Sequence, residues 1–527
     1  MTTPPVRSAI ATSSRISGAR RVITSLSRPS PVVLRCNILD RHRMASTASG
    51  RRKERVVILG SGWAGYGFAR SLDPNKFERV MISPRSYFVF TPLLAGTAVG
   101  TLEFRTVLEP VRRLGLDRFH QGWADDIDFA RKTIRVEANT SDDLASKTQA
   151  AMAHRPDGDG GTRRGAMFDV EYDKLVIAIG SYSQTFGIEG VREHANFLRD
   201  VGDARRIRMK VLQSFEKAAL PVTTDEERAK LLHFAIVGGG PTGIEFAAEL
   251  HDLIRDDLKS TYPELMHFVR ITVYDVAPKV LPMFDKKLAD YAMDRFRREG
   301  ISVKTEHHLT RVRPDEHTEG CLKLRIREYG DEEVSAGIVV WSTGLMQNPL
   351  LQKLGTKAFA LPGSEDGTAE MQLLRDAKTG SIATDAYLRA KVAPRGATAA
   401  SSGAVPLPDV YSIGDCAAVA GLGLPATAQV ASQQAAHLAR QLNRSASVNA
   451  GADVGAKPFR FRNWGTMTYL GGWKAIHQSS ADELTGWAAW VLWRTAYLTR
   501  SMSIRNKISV PFYWAISWIF GRDISRF

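Results

Sequence analysis

The stretch VVILGSGWAGYGFARSL at residues 56–72 restricts the start of the fold more than any other feature of the chain. A short β-branched run, suited to a buried parallel strand, leads into Gly60, Gly62 and Gly65, and the residues that follow have helical character. Each glycine of this GxGxxG spacing has its own physical reason. Gly60 allows a tight turn, Gly62 lets the backbone approach a pyrophosphate, and Gly65, beside Ala64, lets helix and strand pack closely. The helix N-terminus then faces the phosphate charge. The next strand, RVMIS, ends at Ser83, where an acid would usually accept ribose hydroxyls. This turn therefore suits a pyrophosphate, while its adenosine ribose must be held otherwise.

A second copy, FAIVGGGPTGIEFAAEL, follows at residues 234–250 with Gly238, Gly240, Thr242 and Gly243 in the same places. Its next strand, VRITVYD, ends at Asp275, which would accept the ribose hydroxyls and repel a 2′-phosphate, favouring NADH over NADPH. Two such turns imply two dinucleotides, one of them a resident flavin. Two more strand ends fit that reading. YDKLVIAIGS runs into Gly180 and Ser181, and LPDVYSIGDCAAV places Asp415 just past a strand, where a carboxylate can receive hydrogen bonds from a polyol chain.

At 527 residues the chain is long enough for two or three cores. The net charge of +15 suggests an acidic partner, but residues 1–55 hold twelve Lys and Arg against only Asp40 and Glu54. The remainder is mildly basic, so nucleic acid is not an expected partner. Residues 1–50, Arg-rich and Ser/Thr-rich with a single acid, have the composition of a mitochondrial transit peptide, cleaved before Arg51. The three cysteines, Cys36, Cys321 and Cys416, offer neither a disulfide framework nor a CxxC pair, and no zinc spacing or EF-hand loop is present.

With those residues in place, the chain resembles the two-dinucleotide-domain flavoproteins, and among them the type II (alternative) NADH:ubiquinone oxidoreductases of the mitochondrial internal type. The motifs that carry the resemblance are GSGWAGYGFARSL, SPRSYFVFTPLLAGTAVGTLEFRTVLEPVR, GGGPTGIEFAAEL, VVWSTG, YSIGDCA and AQVASQQAAHLARQL. It implies non-covalent FAD on the first turn and NADH as substrate on the second, with two electrons passed on to ubiquinone by a rotenone-insensitive enzyme that pumps no protons. It also implies that Gly62 and Gly65 hold the FAD pyrophosphate, Thr91 and Pro92 flank the isoalloxazine, and Asp415 takes the ribityl chain. Gly240, Gly243 and Asp275 would hold NADH, Gly344 would close over the nicotinamide, and Glu245 would stand at the nicotinamide–flavin junction. Gln429 and Gln433, spaced i,i+4 on one helical face, would meet the quinone head group with uncharged amides. An N-terminal helix acid and buried structural glutamines are the plainer readings of these last three.

The expected architecture is α/β: two Rossmann-like domains, for FAD and NADH, and a C-terminal amphipathic helical membrane-anchoring region. The FAD domain is expected over 51–220 and 345–440, the NADH domain over 221–344, and the C-terminal membrane-association or dimerisation region over 441–527. Segments 139–166 and 390–408, rich in Ala, Gly, Ser and Pro, read as surface insertions. No apolar run reaches the ~20 residues a spanning helix needs. Residues 484–493 and 508–521 instead set Trp-rich faces beside basic residues, as helices lying on a lipid surface do; a homodimer contact would use similar aromatics. The expected location is the inner mitochondrial membrane, peripheral, on the matrix side. The rivals are a sulfide:quinone or disulfide reductase, which would need paired redox cysteines, and an NADH-binding flavoprotein of the apoptosis-inducing-factor type acting as a signalling module.

Overall fold

The computed structural model describes residues 52–139, 165–360, 370–396, 403–448, 457–480 and 482–526. The leader expected over 1–50 and nearly all of the insertion expected over 139–166 lie outside the described residues. The first glycine-rich turn joins strand Glu54–Leu59 to helix Trp63–Ser71. That strand is parallel to Phe77–Ser83 on one side and to Lys174–Ile177 on the other. Strands Arg118–Asp128 and Val405–Ser412 extend the parallel set at its two ends. Val56, Val57 and Ile58 are wholly buried, as befits a strand covered on both faces. Helix Ala428–Val448 packs on helix Trp63–Ser71, and Gly67 makes room for it: a Cβ there would stand 3.5 Å from that of Ala435.

The second turn sits in a separate five-stranded parallel sheet, ordered Asn196–Phe197, Ile338–Trp341, His233–Val237, Arg270–Tyr274, Ser302–Lys304. Its turn leads into helix Pro241–Leu253. The chain enters and leaves this region through two short strands, Ser181–Ser183 and Leu345–Gln347, which pair antiparallel with each other.

Two expectations need correction. The stretch 390–408 is not a surface insertion throughout. Arg389–Pro394 and Val405–Ser412 are paired strands of the first sheet, and Ala390 and Val392 are wholly buried. Small residues disguised an in–out alternation as low complexity; only 397–402 falls outside the described residues. The last region is not purely helical either. A three-stranded sheet of Thr466–Tyr469, Ala475–Gln478 and Glu483–Thr485 precedes helices Gly486–Arg500 and Ile504–Phe520. Leu484, expected on a helix face, lies on a strand. No helix among the described residues is long and apolar enough to cross a membrane.

Candidate functional site

The two turns share one geometry. Gly60 and Gly238 have φ of +102° and +115°, a region that L side chains rarely adopt. A Cβ on Gly65 would collide with the Gly60 carbonyl, and one on Gly243 with that of Gly238. A Cβ on Gly62 or Gly240 would meet nothing within 4 Å. The middle glycines thus border free space, where the outer ones border protein. Helices Trp63–Ser71 and Pro241–Leu253 also start without a side-chain cap, whereas helices Val201–Ala218 and Lys286–Arg298 are capped by Asp200 and Asp285. Bare N–H groups beside open space on both turns fit a pyrophosphate.

The strand ends differ as the sequence suggested. Asp275 accepts hydrogen bonds from the backbone N–H of Gly239 and, at 2.7 Å, of Ala277, so its carboxylate is fixed beside the second turn. At the corresponding place beside the first turn, the Ser83 hydroxyl is buried 2.8 Å from that of Ser61. Ser181 donates to Asp415 at 2.9 Å, which brings together the ends of two parallel neighbours of the first sheet. Gly180, with φ of +68°, leaves open space beside them. A Cβ on Gly344 would stand 2.8 Å from the Phe186 ring and 2.9 Å from the Gln184 carbonyl, so no side chain fits there without displacement. Ala64 is buried in the turn, Thr242 is exposed at the start of its helix, and the Thr91 hydroxyl accepts from the indole of Trp63 at 3.0 Å.

Glu245, in the helix after the second turn, is strongly perturbed. Its Oε1 accepts from the Tyr469 N–H at 3.1 Å and from the Trp493 indole at 3.2 Å, leaving Oε2 to carry a proton. Burial, aided by neighbouring Glu249, pushes this carboxyl up to about 8 despite those two donors. The two glutamates, Pro92, Thr101, Tyr469 and Trp493 line one small cavity of about 10 Å³. The segment around Thr91, the helix after the second turn and the C-terminal region therefore converge on one carboxyl. Glu249 accepts from Thr101 at 2.9 Å, and Asp252 from the Tyr469 hydroxyl at 2.6 Å. Burial raises both of these acids as well, with the cations Arg522 and Arg494 opposing it at Glu249 and Arg255 and Arg522 at Asp252. None of these partners was foreseen in the sequence.

Both glutamines of the i,i+4 pair are engaged by backbone groups of the protein. Gln429 accepts from the Trp464 N–H at 3.0 Å and donates to the Gly465 carbonyl; Gln433 does the same with both backbone groups of Arg462. Each amide clamps the segment 462–465 and keeps only one N–H and one lone pair for a ligand. Their neighbour Gln434, passed over in the sequence, accepts from the buried Gly414 N–H at 2.6 Å and so anchors the Asp415 turn. Cys321 and Cys416 are free and buried, and burial raises both thiols, that of Cys321 to about 11.

Comparison with known proteins agrees with this layout. The family model described as pyridine nucleotide-disulphide oxidoreductase matches residues 54–435, and the NDH2 C-terminal domain matches residues 464–523. A protein of Dictyostelium discoideum named probable NADH dehydrogenase is 37% identical over 90% of this chain and 91% of its own length. The internal alternative NAD(P)H-ubiquinone oxidoreductase A1 of Solanum tuberosum mitochondria is 35% identical, covering 90% and 88%. The external type B2 of Arabidopsis thaliana is 32% identical, covering 91% of each. In fold, the structure of NDH2 from Plasmodium falciparum in complex with NADH superposes with a TM-score of 0.73 at 24% identity, over 90% of this chain and all of that one.

Proposed function

The chain belongs to the type II NADH dehydrogenase (NDH2) family of the pyridine nucleotide-disulphide oxidoreductases, and from that membership we propose that it oxidises NADH and reduces ubiquinone at the surface of the inner mitochondrial membrane. It is an FAD-dependent oxidoreductase with NADH as substrate. Bound FAD supplies hydride acceptance from NADH and two-electron delivery to the quinone.

The residues divide the remaining work. Gly60, Gly62 and Gly65 would seat the FAD pyrophosphate, Asp415 with Ser181 the ribityl chain, and Thr91 and Pro92 the ring. Gly238, Gly240 and Gly243 would seat NADH, with Asp275 on its ribose and Gly344 closing the nicotinamide side. Reducing a quinone fully takes two protons, of which NADH brings one. Glu245 carries our reading: at neutral pH a carboxyl raised to about 8 holds a proton on Oε2 inside the cavity that also contains Pro92. Gln429 and Gln433 would border the quinone head, using the amide capacity left over from the 462–465 clamp.

The membrane part rests on helix Ile504–Phe520. Ile504, Ile508, Phe512 and Ile519 recur at helical spacing and are each more than half exposed, while Val510 and Trp514 are buried. The higher identity to the internal-type relative than to the external-type one supports the matrix face. Both described cysteines being buried and free speaks against disulfide chemistry. The test is anaerobic absorbance of the bound flavin. Bleaching by NADH at much lower concentration than by NADPH, then prompt recovery with a soluble ubiquinone, is expected. Bleaching without recovery would remove quinone reduction.

A further inference from the structure

A second, wider cavity adjoins the site described above and shares Trp63 and Gln433 with it. It has a volume of about 410 Å³ and is bordered by helix Ala428–Val448, the segment 459–464 and the end of helix Gly486–Arg500. Arg440, Arg460, Arg462 and Arg500 line it, and no carboxylate does. Between Asp415 and Asp482 the chain has one acid, Asp453, which lies outside the described residues. The cavity wall is aromatic: Phe459 is buried, and the Arg500 guanidinium lies 4.3 Å from the centre of the half-exposed Trp464 indole. Four guanidinium groups on one concave surface repel one another, and an anion placed among them relieves that repulsion.

We infer that this cavity binds the headgroup of an anionic phospholipid, the phosphate held by Arg440, Arg460, Arg462 and Arg500 and an acyl chain laid along Trp464 and Phe459. A soluble phosphate would satisfy only the cations. A lipid satisfies both halves of the wall, and the position agrees: Met502, also in the lining, connects directly to the exposed apolar stripe that starts at Ile504. Exposed Arg505 and Lys507 continue the positive charge along that helix start. The inference rests on the membrane-surface reading above and adds lipid selectivity to it. Docking would then place the segment clamped by Gln429 and Gln433 at the level of the headgroups, where a quinone head leaves the bilayer.

The test is vesicle flotation of the full-length flavin-loaded protein at physiological salt. Phosphatidylcholine vesicles are compared with phosphatidylcholine–phosphatidylglycerol vesicles, for the wild type and for a triple variant Arg440→Gln, Arg460→Gln, Arg462→Gln. Bound-flavin absorbance and the melting curve show that the variant is folded. The wild type should favour the anionic vesicles by roughly tenfold to a hundredfold. The variant should lose most of that preference and keep its binding to phosphatidylcholine, while millimolar inorganic phosphate should leave the wild-type preference unchanged. Equal wild-type binding to both vesicles, or an undiminished preference in the variant, overturns the lipid site while leaving membrane docking in place. Competition by inorganic phosphate at that level would make the cavity a phosphate site instead. Failure to float with either vesicle would remove the membrane-surface reading and this inference together.

Discussion

The Oε1 atom of Glu245 and the indole N–H of Trp493 meet at 3.2 Å across 248 residues of chain. This contact ties the helix that follows the second glycine-rich turn to the C-terminal region, and it does so through a carboxyl that burial holds protonated at neutral pH. Losing it should therefore separate the two half-reactions.

In Glu245→Gln the amide keeps an acceptor for Trp493 and Tyr469 but cannot release a proton. Anaerobic stopped-flow should show flavin reduction by NADH within a few-fold of wild type. Reoxidation by soluble ubiquinone should be about a hundredfold slower. Equal slowing of both steps would mean that Glu245 only shapes the junction.

The same carboxyl makes stability depend on pH. Its folded pKa of about 8 lies above the ordinary value of 4.5, so the folded state holds more protons than the unfolded chain between those limits. Stability is therefore greatest below that window and is lost as pH rises through it. Thermal melts should shift downward from pH 5.5 to pH 8.5 in the wild type and less so in Glu245→Gln. Glu249, raised in the same direction, should leave a residual slope. Parallel slopes in the two proteins would show that Glu245 does not titrate there.

Substitutions at two neighbouring glycines should fail for different reasons. Gly65→Ala drives a methyl into the Gly60 carbonyl and should cost about 1–3 kcal/mol of apoprotein stability. In Gly62→Ala the methyl meets no protein atom, so the apoprotein should melt almost as wild type, yet flavin affinity should fall because the methyl occupies the pyrophosphate's space. Melting curves with and without FAD separate the two; full flavin affinity in Gly62→Ala would place the pyrophosphate elsewhere.

Asp275→Ser removes the carboxylate held by Gly239 and Ala277. The ratio of kcat/KM for NADH to that for NADPH should narrow by tenfold or more as the repulsion of a 2′-phosphate is lost. An unchanged ratio would put the ribose of NADH at another residue.

Gln434→Ala leaves the buried Gly414 N–H without an acceptor, a cost of about 1–3 kcal/mol. Its melting temperature and flavin retention should drop further than those of Gln433→Ala, whose broken bonds lie on an exposed segment. The opposite order would mean that the clamp on Arg462 matters more than the anchor on Gly414.

How much of this was legible depends on the distance over which each feature is encoded. Strand, turn and helix around Gly60 and Gly238 are local, since β-branched runs, glycine spacing and helical periodicity all fall within about 17 residues. The acid at 275 and its absence at 83 could be read for the same reason. Tyr469 and Trp493 could not be assigned to Glu245, because nothing in a helix start names partners more than 220 residues away. Gln434 was overlooked beside Gln433 because helical phase shows which residues share a face but not which face meets the Asp415 turn. Strand Arg389–Pro394 was misread because its alternation uses Ala and Val, residues that composition alone assigns to low complexity.

The interleaving of the two sheets bears on how the chain acquires its structure. Strand Lys174–Ile177 has Glu54–Leu59 on one side, but its other neighbour is Val405–Ser412, on the far side of the whole second sheet. A nascent chain, or one threaded N-terminus first through a translocase, presents the first glycine-rich turn early and must wait more than two hundred residues for the strand that closes its sheet. The five strands of the other sheet all come from residues 196–341 and can close among themselves as soon as they emerge. Of the two sheets, the one encoded first is thus completed second, and until then its open strand edge must be shielded from pairing with other chains.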